Sequence, residues 1–268
     1  MFRSVLRSAP VALTALSALA FAGAPAAHAV PHHVVPNGAT TVVCHGGDIA
    51  PGYYYELVVD GTCTIPSGKV TVETQLYVTP HSVLDAITGA TVHVKGNVQV
   101  DRGAALGLGC SPHANCSTTT DDVVGGNINS DHALAVILHS DTVKGDITTL
   151  NDGAGVNCAP QPSLAVFATL ANNGVPTPAY DDFEDNNVGG YITSSHLRSC
   201  YMATSRNHVG TNILVADDKV ADPDGNAVGS NTVNGDLGCY HNTPAPHFGT
   251  STGPNDVRGL KLGQGSAL

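Results

Sequence analysis

Apolar residues recur along this chain two positions to either side of a small residue. The pattern reads Val94-Lys-Gly96-Asn-Val98, Val124-Gly-Gly126-Asn-Ile128, Val143-Lys-Gly145-Asp-Ile147 and Val188-Gly-Gly190-Tyr-Ile192. It continues as Val209-Gly-Thr211-Asn-Ile213 and Val233-Asn-Gly235-Asp-Leu237, with a weaker copy at Val257-Arg-Gly259-Leu-Lys261. The central positions are separated by 30, 19, 45, 21, 24 and 24 residues. Most gaps lie near 20 to 24, and the gap of 45 reads as two coils with a degenerate copy inside 150–187. Side chains alternate along a strand, so the −2 and +2 residues share a face and each copy reads as a short strand. Gly, Asn and Asp supply the bends between copies. No long amphipathic stretch favours helices, and glutamate occurs only at 56, 73 and 184. The pattern predicts an all-β chain, a parallel β-helix whose rungs stack ~4.8 Å apart and bury their Val and Ile rows jointly.

Between the apolar positions lies a polar strip. Position +1 holds Asn97, Asn127, Asp146, Tyr191, Asn212 and Asp236; +3 holds Gln99, Asn129, Thr148, Thr193, Leu214 and Gly238; −1 holds Lys95, Gly125, Lys144, Gly189, Gly210 and Asn234. Two readings stay open. Stacked amides solvate a sheet face by bonding to one another, or Asn97, Asn127, Asn129, Lys144 and Asp146 form a face for a polysaccharide or a second copy of the chain.

Arg3 and Arg7 precede an apolar run, Val11 to Phe21, and Ala27-His28-Ala29 follows. That is the layout of a secretory signal peptide over 1–29, and the run is too short for the ~20 residues of a membrane span. The expected mature chain, 30–268, is one β-helix domain, secreted or held at the cell wall, with a cap over about 40–66. No further apolar span follows. Eleven basic residues stand against 22 acidic ones, a formal charge of −11 that becomes −13 without Arg3 and Arg7. The sign speaks against nucleic acid, and it discourages adhesion to anionic polymers unless a cation bridges the two.

Cys44 with Cys63 and Cys110 with Cys116 are natural local disulfides in an oxidising compartment. Cys158, Cys200 and Cys239 are left, an odd number, and no C-x2-C pair suggests zinc. The stretch Asn231-Thr-Val-Asn-Gly-Asp-Leu-Gly-Cys239-Tyr-His-Asn-Thr-Pro-Ala-Pro246 resembles the C-terminal signature of a family of small secreted actinobacterial proteins. The segment around Cys44 and Cys63 and the Val-x-Gly-Asn-Ile copies resemble the same family. The resemblance implies a right-handed β-helix and carries over no catalytic residue. Family members end their last copy in Gly-Gln-Cys, where this chain has Gly263-Gln264-Gly265. The expectation is that Cys239 has lost its partner at 265, leaving Cys158 and Cys200 to pair or to stay reduced.

A reaction centre is not evident. Asp101 and Asp131 each follow a central glycine by five residues and would stack one rung apart. Paired carboxylates at ~5 to 10 Å suit glycoside hydrolysis, yet Asp at solenoid turns has a backbone explanation. Lys95, Lys144 and Arg102 are the basic groups nearby, and the 13 histidines are scattered. Calcium is the one cation the runs Asp181–Asp185 and 217–226 suit, but the EF-hand glycine is misplaced and solvated turns are the preferred reading. Tyr53-Tyr54-Tyr55, the one aromatic cluster, reads as packing for the N-terminal end. No catalytic, cofactor or metal residue is therefore assigned. The expected function is a structural or surface-interaction solenoid contacting polysaccharide or itself; the alternative is a carbohydrate-active enzyme on the same scaffold.

Overall fold

The computed structural model describes residues 40–114, 116–167, 177–249 and 252–268. The expected signal peptide lies outside the described residues. Among the described residues the chain winds into a parallel β-solenoid with three long flanks. Sheet 1 has ten strands, sheet 2 eight and sheet 3 nine, and a two-stranded sheet joins Arg198–Ser199 to Lys219–Val220. Neighbours within each sheet come from successive coils and pair in parallel.

The recurring pattern occupies one corner, between sheets 3 and 1. Each copy is not a single strand: its first valine ends a sheet-3 strand, and its last aliphatic residue opens the way into sheet 1. Val94, Val124, Val143, Val188, Val209 and Val233 stack in sheet 3. Val98, Ile128, Ile147, Ile192, Ile213 and Leu237 stack in sheet 1. Both rows are buried, and each such side chain contributes about 1.5–3 kcal/mol relative to leaving it in water. The bend explains the small central residue. The Asn97 amide oxygen accepts the Asn127 N–H at 2.9 Å, and that of Asn127 accepts the Asp146 N–H at 3.0 Å. A Cβ at Gly126 or Gly145 would overlap those oxygens.

Two other corners repeat a left-handed residue. His132, Asn151, His196, Asp217 and His241 follow the sheet-1 strands, and Ser140, Asp185, Arg206 and Ser230 follow the sheet-2 strands, all with φ near +60°. Asn, Asp and His tolerate that conformation better than most residues. Four of the scattered histidines, His81, His132, His196 and His241, thus have backbone reasons for their places.

The 45-residue gap is one coil, not two. Thr142 pairs directly with Asn187 and Ile147 with Ile192, so 150–187 holds no hidden copy. Instead, part of this insertion folds against the outside of sheet 2, where Leu164 and Phe167 bury Ile87, Ala135 and Ile137 in a second apolar cluster. Cys158 is bonded to Cys200, Cys44 to Cys63 and Cys110 to Cys116; Cys239 is free and buried. Residues 40–66 continue the same parallel register, pairing Val42 with Leu57 and then Leu76. No helix among the described residues is long and apolar enough to cross a membrane.

Candidate functional site

The polar strip separates into two kinds of residue. Asn97, Asn127 and Asp146 use their side-chain oxygens on the next rung, Asp146 accepting the Tyr191 N–H at 3.0 Å, so they hold the corner together. Asn129 lies on sheet 1 in register with Gln99 and Thr148. Lys144 sits elsewhere, beside the corner on the sheet-3 flank.

There the −1 residues form a row: Lys95, Gly125, Lys144, Gly189, Gly210, Asn234 and Arg258. Adjacent coils stand ~4.8 Å apart, so Lys95 and Lys144 rise on either side of a glycine gap. Lys69, Thr71, His93 and Val123 complete the wall of an open cavity of ≈ 420 Å³. Further along the same flank, Asn187, Gly189, His208, Gly210, Thr232, Asn234 and Arg258 line a second cavity of ≈ 390 Å³. The flank is therefore a glycine-floored trough parallel to the solenoid axis. Lys69, Lys95, Lys144, Lys219 and Lys261 are all the lysines of the chain, and three of them stand at one cavity. Lys95 is paired with Glu73 and lies 5.6 Å from the ring centre of Tyr53. Among the described residues Lys69 and Lys144 have no carboxylate within ion-pair distance. Tyr53 is 49% exposed, whereas Tyr54 is turned onto the core and donates to the Ala50 carbonyl.

Asp101 and Asp131 do stack on adjacent rungs, since Val100 pairs with Ser130 just before them. They are not an open acid pair. Tyr77 donates to Asp101, and Asp131 accepts from Asn151 at 3.1 Å and lies 2.8 Å from His132, contacts that hold its carboxyl below the usual range despite some burial.

A second cluster lies on the outside of sheet 2. The run Asp181–Asp185 is neither a calcium loop nor a solvated turn: Tyr180–Glu184 is a strand whose neighbours alternate in and out. Asp181 and Phe183 point to the interior and are fully buried, while Asp182 and Glu184 face outward. Glu184 pairs in register with His139 on one side and Ser205 on the other. His139 Nε2 is 3.1 Å from Asp182, and Arg206 bonds Glu184 at 2.8 Å and Asp185 at 2.7 Å. Burial pushes the Glu184 carboxyl up, helped by Asp182 and opposed by Arg206. Burial would lower the His139 imidazole, but the charge and hydrogen bond of Asp182 outweigh it and the net shift is upward. Comparison with protein-family models, with curated proteins and with solved structures finds no match for this chain.

Sequence reasoning passed over this second cluster, although a signal existed. His139 precedes Glu184 by 45 residues, the same step that separates Gly145 from Gly190. Carrying the corner register across to sheet 2 puts the two side by side.

Proposed function

We propose that this chain is an exported surface-interaction solenoid that lays an acidic polysaccharide strand along the sheet-3 trough. The observation that carries the reading is the gathering of Lys69, Lys95 and Lys144 around one glycine-floored cavity in a chain with twice as many acids as bases. The net charge discourages polyanions in general, but the local distribution reverses that at this flank. The glycine floor lets a strand approach the backbone, Lys69 and Lys144 meet its carboxylates or sulfates, and Tyr53 offers a sugar face to stack on. Three disulfides and the signal-peptide pattern support export. The resemblance to the secreted actinobacterial family agrees with that address.

The test is retention of the purified chain on polygalacturonate against neutral dextran. Retention on polygalacturonate alone, weakened by salt and at least tenfold by Lys69→Gln with Lys144→Gln, is the expected result. Equal retention on both polymers, or none on either, overturns it. The enzyme reading has one observation in its favour, the acids Asp182 and Glu184 beside Arg206 on an outer face. Both acids are engaged by protein groups, which places the binding reading first; release of reducing ends or unsaturated uronate from the same polymer would reverse that order.

A further inference from the structure

We propose that His139, Asp182 and Glu184 form a binding site for a zinc ion on the outer face of sheet 2. One donor atom from each lies within 4.8 Å of the other two. Nitrogen and carboxylate oxygen are the donors zinc takes at ~2.0–2.2 Å, and tetrahedral donors at ~2.0 Å stand about 3.3 Å apart. Closing the cluster by up to about 1.5 Å completes three ligands, and all three residues sit on paired strands of one sheet.

The buried imidazole turns its Nε2, the nitrogen a metal here would take, into the cluster. The His139 side chain is 3% exposed, its Nδ1 has no partner, and its one polar contact is with Asp182 inside the cluster. The second oxygen of Asp182 is also buried without a partner. A carboxyl oxygen left unpaired in a buried place is costly unless something satisfies it. The surrounding charge invites a cation: Asp182, Glu184 and Asp185 face Arg206, with His113 reaching Asp185 at 2.9 Å from the disulfide loop. Arg206 occupies one oxygen of Glu184, and the other remains for the metal.

An open cavity of ≈ 470 Å³ lined by Glu184, Ser205, Asp224, Ala227 and His247 reaches the cluster at Glu184. Next to Glu184 the sheet carries Ser205, a small residue on the same cavity, and a water from that cavity would be the fourth ligand. Only the 45-residue step of the corner register brings this set together in sequence, because the histidine and the acids come from separate coils joined by the insertion. The site lies on a different flank from the trough and does not depend on polysaccharide binding.

Calorimetric titration of the purified chain with Zn²⁺, and separately with Ca²⁺, tests the assignment. Exposed histidines can bind Zn²⁺ weakly, so the decisive quantity is one saturable equivalent lost or weakened at least tenfold by Asp182→Asn and by Glu184→Gln. Unchanged circular dichroism and an unchanged thermal melt without metal establish that the variants fold. On the unaltered chain, Co²⁺ should give the intense d–d absorption of a four-coordinate site, abolished by one equivalent of Zn²⁺. Absence of a saturable equivalent, binding equal in both variants and the parent, a preference for Ca²⁺, or a weak six-coordinate Co²⁺ spectrum each overturns the proposal.

Discussion

The corner after the sheet-2 strands carries one stack of side chains made in two chemistries. Asn186, Asn207, Asn231 and Asn255 form its amide half, and Asp141 and Asp122 occupy the corresponding places in the preceding coils. In the amide half each oxygen accepts the backbone N–H of the coil before it, Asn207 accepting Asn186 N–H at 3.0 Å and Asn231 accepting Asn207 N–H at 2.9 Å. Each amide also donates, as Asn207 does to the Phe183 carbonyl at 2.8 Å. Every polar atom is used, and the stack is buried at little cost. In the acid half Asp141 is wholly buried with no well-aligned hydrogen bond to either oxygen, and burial with Asp122 alongside pushes its carboxyl well above the usual range, against a weaker downward pull from the His139 backbone. Burial likewise pushes Asp122 up to about 7. A carboxylate has no N–H to give, so the same backbone that satisfies an amide leaves an acid short unless it keeps its proton.

Converting an amide rung into an acid rung should produce the largest effect. Asn207→Asp removes donors to the Phe183 carbonyl and to Asn231 in the middle of the stack. The expected loss is about 3–4 kcal/mol at pH 8, roughly 10 °C in Tm for a domain of this size. Part of it should return at pH 4, where the new carboxyl is protonated. Thermal melts at the two pH values check this, and a loss equal at both would break the comparison.

The other corner stack ends near a different kind of gap. Asp218 donates its N–H to Asn242 and Asn242 to Gln264, and the next residue, Gly265, lies over the unpaired thiol. A Cβ at Gly265 would stand 3.4 Å from Cys239 Sγ and 3.0 Å from the Leu237 carbonyl oxygen, and Gly265 is not in the left-handed region. Burial, with Asp218 nearby, pushes the Cys239 thiol up to about 12, so it is inert as it stands. Gly265→Cys should close a fourth disulfide after a small backbone adjustment and add about 3 kcal/mol. Loss of the single titratable thiol and a raised Tm that reverses on reduction would show it. The gain should be the same at pH 5 and pH 8, because it lies outside the acid rungs.

Much of the scaffold was legible because a solenoid repeats its local rule. Val94, Gly96 and Val98 and their copies encode a corner whose geometry each coil reuses, and the odd cysteine count already required an unpaired thiol, which is Cys239. The 45-residue gap misled because spacing alone does not separate two coils from one coil with an insertion; only the pairing of Ile147 with Ile192 does. The polar strip was read as a face, yet Asn97 and Asn127 are committed to backbone, a fact that depends on which way each side chain turns at the bend. The run Asp181–Asp185 looked like a loop because acids are rare in strands, and its alternation about Phe183 became meaningful only once the insertion had been assigned to the preceding coil.

The smallest expected change has the clearest sign. Asp141→Asn restores the amide chemistry that the next four rungs already have, supplying a donor where the acid supplies none unless protonated. Asp122, Asp141, Asp152, Asp181 and Asp218 all have carboxyls raised by burial in the native chain, Asp181 to about 7 and Asp218 to about 6. Unfolded, they titrate near ~3.9. Between pH 4 and pH 7 the native chain therefore holds more protons than the unfolded one, and stability falls as pH rises through that window. At pH 4 the acid rungs are protonated in the native chain and about half protonated in the unfolded one, and Asp141→Asn should change little. At pH 8 the native chain has lost the benefit of those protons, and the variant should gain about 1–2 kcal/mol, roughly 5 °C in Tm. A melt series from pH 4 to pH 8 should thus show two curves that start together and separate, the variant falling less. Parallel curves would mean that Asp141 finds a neutralising partner in solution, and the contrast between the two halves of the stack would then be one of packing and not of protonation.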